Sequence, residues 1–177
     1  MRQEIDSLVC AIGGVVFLVV SGFLLPGILA WLVAVLGVLA FAAVLWYAVL
    51  RKRPAARPAH PRSRQAVRTY LICTALEITA APLGAVLFLR VLRQPAVILP
   101  WIVILAGVHF LPYASAFGTQ LLDRLGGVLF GLGILGGAMV LTWSVRVSPW
   151  TGVAAGLVLL GFAAVLARVR DLKANAT

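Results

Sequence analysis

Hydrophobic positions run along this chain in long blocks that are separated by short polar breaks. A membrane-spanning helix needs about 20 consecutive apolar residues, and six stretches of roughly that length can be separated. Pro and Gly residues or clusters of Arg mark the breaks, because Pro removes a backbone donor and Gly loosens the chain. The pattern predicts an all-α polytopic membrane protein, a bundle of six transmembrane helices, with spans at about 8–25, 28–50, 69–90, 95–113, 122–145 and 149–168.

The composition excludes a soluble globular domain. Hydrophobic residues make up 63% of the 177 residues, charged residues 11%, and the mean hydropathy is +1.08. A soluble domain of this length cannot hide so much apolar surface, so we expect the lipid bilayer to be the main partner of a single transmembrane domain covering residues 1–177. The N-terminal segment lacks the positive region of a signal peptide, so we expect the first apolar stretch to be retained as a span.

The basic segment Arg51–Arg68 predicts the orientation of the chain. It contains seven of the fifteen basic residues, and such loops stay on the cytoplasmic side. When sides alternate from this loop, twelve basic residues are cytoplasmic and three are outside, with both termini cytoplasmic. Arg outnumbers Lys by 13 to 2, a bias typical of GC-rich bacterial genomes. We therefore expect a multi-pass protein of a bacterial inner (plasma) membrane.

The same loop has a second interpretation, as a binding surface. Basic residues beside a span attract anionic lipid headgroups by about 1 kcal/mol each. Alternatively, these basic residues only orient the protein in the membrane. In either case, we expect no nucleic acid partner. Pro54, Pro58 and Pro61 favour an extended loop over a helix.

Glu77 is the only carboxylate inside any long apolar stretch. An ionisable group there costs several kcal/mol unless it faces the protein interior or water, so it is the leading candidate for a functional residue. On a helix, it shares one face with Tyr70, Thr74, Ala81 and Gly84, which are all polar or small. Because the other sides are apolar, we expect Glu77 to point into the bundle.

His109 in the fourth span is the predicted neighbour of Glu77. The third and fourth spans are joined by a short connection, so they are expected to pack together. Glu77 lies about 12 Å from the cytoplasmic end at 1.5 Å per residue, and His109 lies at a similar depth. Pro82 and Pro112 each leave a carbonyl without its helical donor beside this pair, and Tyr113 adds a hydroxyl.

The pair has two interpretations that the sequence leaves open. In one, Glu77 and His109 form a protonatable site that carries protons in coupled transport, binds a cation or acts as a general base. In the other, they form an interhelical polar clamp without further function. We expect no catalytic residues, no cofactor and no metal site, since no second His, nucleophile or phosphate loop has credible spacing.

Several further residues have structural interpretations. Cys10 and Cys73 lie in separate spans and are expected to be packing thiols. Asp123 suits the start of the fifth span, where an acid complements the helix N-terminus. Glycines of the fifth and sixth spans allow close helix packing, with a homodimer face as the alternative.

The stretch His109-Phe110-Leu111-Pro112 in a six-span chain of this size resembles small bacterial membrane proteins that have no assigned function. The resemblance implies the span layout and no activity. From the residues, we expect a small transporter or permeation protein, proton-linked and dimeric, with Glu77 as its centre. The alternative is a non-catalytic accessory or structural subunit; an enzyme acting on a lipid lacks a nucleophile or metal site here.

Overall fold

The computed structural model describes residues 2–50, 64–117 and 120–175, and this part of the chain is all-helical without strands. The all-α prediction is therefore confirmed. The helices are α1 Arg2–Phe23, α2 Ile28–Leu50, α3 Arg64–Val86, α4 Ile98–Phe117, α5 Gln120–Thr142 and α6 Val147–Asn175, with a π-helical turn Leu87–Val91 and a 3₁₀ turn Pro95–Val97 between α3 and α4.

Four of the described helices contain a segment that is long and apolar enough to cross a membrane, which fits a membrane protein. In the first two helices, the residues whose side chains the structure describes include apolar segments of fewer residues. The four long segments are Leu71–Val91, Pro95–Pro112, Gln120–Thr142 and Val147–Leu166, and the two shorter ones are Val9–Phe23 and Ile28–Ala43.

Several helices extend beyond the predicted spans: α1 begins at Arg2 and not at 8, α4 ends at Phe117 and not at 113, and α3 and α6 are also longer. α3 begins at Arg64, so residues 64–68 of the predicted basic loop form its first turns. No Pro follows Pro61 in this part of the loop, so nothing blocks helix formation from Arg64 onwards. Residues 51–63 lie outside the described residues. α6 continues to Asn175, past the predicted end of the last span at 168, because the polar residues there are good helix formers.

The chain divides into two compact units. The first consists of Met1–Pro61 with Ala155–Thr177, and the second consists of Arg62–Ala154. α6 therefore contributes its first residues to the second unit and its remainder to the first.

In the first unit, α1 and α2 form a hairpin. Gly27 lies in the connection with a φ of 62°, a left-handed conformation that glycine adopts without a steric penalty. Close to the turn, a Cβ on Gly22 would lie 3.2 Å from the carbonyl oxygen of Ala30. Leu18 is fully buried, and a Cβ on Gly156 of α6 would lie 2.7 Å from it. Small residues thus let α1 approach both of its neighbours closely.

In the second unit, α4 packs against both α3 and α5. The α4–α5 contact is a close approach of backbones. A Cβ on Gly107 would overlap the backbone of Phe130, and a Cβ on Gly133 would lie 2.6 Å from Ile104 Cγ1 and 2.9 Å from the carbonyl oxygen of Pro100. The prediction that the glycines of α5 serve intramolecular packing is confirmed at these positions.

The end of α3 turns the chain back towards α4. The Leu92 N–H donates to the Leu87 carbonyl over 3.0 Å, and the Gln94 N–H donates to the Phe88 carbonyl over 2.8 Å. Arg93 follows with a φ of 52°, in the left-handed region where helices often end. This turn makes α3 and α4 antiparallel neighbours, as the short connection predicts.

Replacing Gly133 by Ala tests the α4–α5 contact. The added methyl group meets the backbone and side chain of Ile104, so α5 must shift, and overpacking of this kind costs about 1–3 kcal/mol. We expect the Gly133→Ala variant to unfold at a lower temperature than the wild type when detergent-solubilised protein is heated and assayed by size-exclusion chromatography.

Gly161→Ala on α6 is the matched control. A Cβ at Gly161 meets nothing within 4 Å, and Ala is a better helix former than Gly by about 1 kcal/mol. Its melting temperature should equal or exceed that of the wild type. Equal melting temperatures for the two variants would show that α4 and α5 do not pack as described.

Candidate functional site

One side of α3 packs against α4, and Glu77 lies on that side. The packed positions follow helical spacing and are half-buried or buried, whereas Leu76 and Ile78 on either side of Glu77 are 63% and 69% exposed. Glu77 therefore faces the packed side of α3, as predicted. The residues on this side are Cys73, Thr74, Glu77, Ala80, Ala81, Gly84, Ala85 and Phe88.

Trp101 of α4 holds α3 in place. Its indole N–H donates to the Ala80 carbonyl over 3.3 Å, and its ring occupies the space that a side chain at Gly84 would need. The edge of the Phe88 ring meets the indole, with ring centroids 6.0 Å apart. These contacts fix the register of α3 along α4.

Sequence reasoning did not identify this role for Trp101. The sequence places a small residue, Gly84, on the Glu77 face, and Trp101 follows in the next predicted span. The positions of Gly84 and Trp101 along the chain are enough to connect the two residues with the Glu77–His109 pair. In an antiparallel pair that places Gly84 opposite Trp101, residue 77 of α3 comes to lie opposite residue 108 or 109 of α4.

In this register, Glu77 and His109 meet. The Nδ1 atom of His109 lies 3.0 Å from the Oε2 atom of Glu77. The two groups form an ion pair when the imidazole is protonated, and the approach at Nδ1 is an ion-pair contact without the geometry of a hydrogen bond. The predicted association of Glu77 with His109 is present in the structure.

The two side chains differ in exposure. The His109 side chain is 18% exposed and the Glu77 side chain is 37% exposed. Glu77 is thus the more accessible member of the pair. Phe110 lies next to His109, with the two rings at 89° to each other and their centroids 5.8 Å apart.

Three other residues were predicted to belong to this site. Thr74 lies on the same face as Glu77, about one turn away, and its hydroxyl oxygen is shielded from solvent without a hydrogen-bond partner among the described residues. The backbone at Tyr70 and Tyr113 is helical, and the side chains of both residues lie outside the described part of the structure.

Both prolines near the site lie inside continuous helices. α3 runs through Pro82 and α4 runs through Pro112 without ending. Because Pro has no amide hydrogen, the carbonyls of Ile78 and Val108 receive no donor from the residue four positions later. One such carbonyl belongs to the residue next to Glu77 and the other to the residue next to His109.

The other residues singled out in the sequence lie at positions that fit packing or helix-capping roles. Cys10 is buried in α1 and Cys73 is half-buried in α3. Asp123 lies in the first turn of α5, as predicted for an acid at a helix N-terminus. Within the described ranges, no three His, Cys, Asp or Glu side chains are grouped so that they could hold a metal ion.

A double-mutant cycle measures the energy of the Glu77–His109 contact. We expect Glu77→Gln and His109→Gln to show a coupling of about 0.6–1.7 kcal/mol in the free energy of unfolding in mixed micelles, the range known for hydrogen bonds between membrane helices. The control cycle combines Glu77→Gln with Thr79→Val, since the Thr79 hydroxyl donates to the Ala75 carbonyl within its own helix. The control pair should be additive within about 0.3 kcal/mol, and additivity of both pairs would contradict the contact.

Comparison with known proteins finds no relative. No protein-family model, no curated protein and no solved structure matches the chain. The described part of the chain is all-helical, with four helices suited to crossing a membrane and a Glu–His pair between two of them.

Proposed function

We propose that the protein is a small proton-linked transporter or permeation protein. Glu77 takes up and releases the proton, and His109 is its partner. Carboxylates and imidazoles within transmembrane helices are costly, and they mark proton and ion pathways in membrane proteins. The pair lies inside two long apolar segments, Leu71–Val91 and Pro95–Pro112, which supports this role.

The observation that carries the proposal is the exposure of Glu77. A pair that served only to join two helices would be enclosed between them, because each polar atom left outside costs free energy in lipid. The Glu77 side chain is 37% exposed although it contacts His109 at 3.0 Å. A proton or a ligand can therefore reach the carboxylate without separating α3 from α4.

The membrane arrangement is part of the proposal. We place six spans in a bacterial plasma membrane, with Val9–Phe23 and Ile28–Ala43 as the cores of the first two and both termini in the cytoplasm. The charge asymmetry supports this orientation, since the segment Arg51–Arg68 holds seven of the fifteen basic residues. This segment then lies beside the anionic headgroups of the cytoplasmic leaflet.

A homodimer also belongs to the proposal. Gly127 and Gly131 are four residues apart on α5, and a Cβ at either position would meet nothing within 4 Å. Two copies of such a face can approach closely within a membrane. Gly133 and Gly136, in contrast, are already in contact with α4 and α6.

The second candidate function is that of an accessory or structural subunit in which Glu77 and His109 act as a clamp. The 3.0 Å contact between Nδ1 and Oε2 favours it, because it joins a side chain of α3 to a side chain of α4. This candidate predicts that replacing either residue lowers stability and changes no transport activity.

Proton flux in liposomes separates the two candidates. We expect wild-type protein to dissipate an imposed pH gradient, and the Glu77→Gln variant to lower the rate at least about tenfold, because an amide cannot take up the proton at neutral pH. The measurement is the fluorescence of a trapped pH indicator after reconstitution of equal amounts of folded protein.

Asp123→Asn is the matched control, since it also converts a carboxylate to an amide but at the start of α5, outside the pair. Its flux should equal that of the wild type. Flux that survives Glu77→Gln, or a wild type that conducts no faster than empty liposomes, would remove the proton-linked function and leave the clamp.

A further inference from the structure

His109 contacts the Glu77 carboxylate on one side, and the nearest residues along α3 are the apolar Leu76 and Ile78. The nearest positive charges along the chain are Arg68, nine positions before Glu77, and Arg90, thirteen positions after it, or about 14 Å and 20 Å along the helix. The exposed part of Glu77 therefore lies among apolar side chains, with no positive charge within two turns on its own helix.

A carboxylate in this position selects for a particular kind of ligand. A small metal ion takes six or more oxygen ligands, or keeps its waters, and this face of α3 offers one carboxylate with the Thr74 hydroxyl a turn away. An organic cation with an apolar body needs only one counter-charge. Its remaining surface is stabilised against apolar side chains, at about 25 cal/mol for each Å² removed from water.

The exposure of α3 gives such a cation a route to the carboxylate. Gly84 is the only buried residue in Leu71–Val91, whereas eight of the 23 residues in Gln120–Thr142 are buried. The side chains beside Glu77 are thus open to the bilayer, into which apolar cations partition. A ligand that is itself soluble in the membrane reaches the site from the side.

We propose that the Glu77–His109 site binds membrane-soluble organic cations, with the Glu77 carboxylate as counter-ion and the apolar surface beside it on α3 as the contact for the ligand body. This assignment rests on the proposed transport function and names its substrate class. His109 stays on the opposite side of the carboxylate, where its contact to Oε2 holds the side chain in place. The proton and the cation then use the same carboxylate.

Binding of tetraphenylphosphonium to the purified, detergent-solubilised protein tests the assignment. We expect saturable binding to the wild type, binding at least about tenfold weaker to Glu77→Gln, and unchanged binding to Asp123→Asn, measured by equilibrium dialysis with radiolabelled cation. Equal binding to the wild type and to folded Glu77→Gln would overturn the assignment, and so would an absence of saturable binding to the wild type.

A second measurement needs no variant and covers the case in which Glu77→Gln does not fold. Dicyclohexylcarbodiimide labels carboxyl groups in apolar surroundings, and the labelled peptide is identified by mass spectrometry. We expect labelling at Glu77, and tetraphenylphosphonium should slow it at least about fivefold when the site is occupied at concentrations well above its dissociation constant. Labelling of Glu77 at the same rate with and without the cation would overturn the proposal.

These outcomes are distinct from those of the proton-flux assay. Proton flux that depends on Glu77, together with no cation binding, overturns the substrate class and leaves the transport function standing. Cation binding that depends on Glu77, together with no proton flux, supports the binding site and removes the proton-linked function. Loss of both removes both proposals.

Discussion

The contact between Trp101 and Gly84 determines how the site is assembled. In lipid, helices gain nothing from burying apolar surface against each other, so close packing and interhelical hydrogen bonds decide their register. The indole ring fills the space above Gly84, and its N–H reaches the Ala80 carbonyl over 3.3 Å. A residue with a side chain at position 84 would push α3 away, and Glu77 would lose its neighbour.

The stability of the second unit is unevenly distributed around this contact. α4 and α5 approach each other backbone to backbone through Gly107, Gly126 and Gly133, which makes them the rigid part. α3 is much more exposed, since Gly84 is the only buried residue in its apolar segment Leu71–Val91. Elements with few buried contacts open at lower free energy than the core of the same protein. The Glu–His pair therefore joins the closely packed helices to a helix with few buried residues.

Much of the fold and the position of the pair could be predicted from the sequence. The long apolar blocks predict the helices, and the alternation of small and polar with large apolar residues on α3 predicts the direction of Glu77. The short connection after Arg93 makes α3 and α4 neighbours, which is enough to bring His109 to a similar depth. These features depend on composition and helical spacing, which are local properties of the chain.

Other features depend on tertiary contacts that the sequence pattern does not contain. The indole N–H of Trp101 reaches a carbonyl on another helix, so its role emerges only when the register is known. The π-helical turn at Leu87–Val91 results from the hydrogen bonds that reverse the chain, and no residue type there specifies it. The exposure of Glu77, which supports the functional proposal, is likewise a property of how the helices pack.

Solid-state NMR of the protein in lipid bilayers tests the central claim, that Glu77 and His109 meet inside the membrane. The chain has two His residues and two Glu residues, so labelling with ¹⁵N-His and δ-¹³C-Glu gives few signals. We expect dipolar dephasing between one His and one Glu that fits the 3.0 Å separation of Nδ1 and Oε2. The dephasing should be present in the His60→Gln variant and lost in the His109→Gln variant. No dephasing in the wild type, or dephasing that survives His109→Gln, would contradict it.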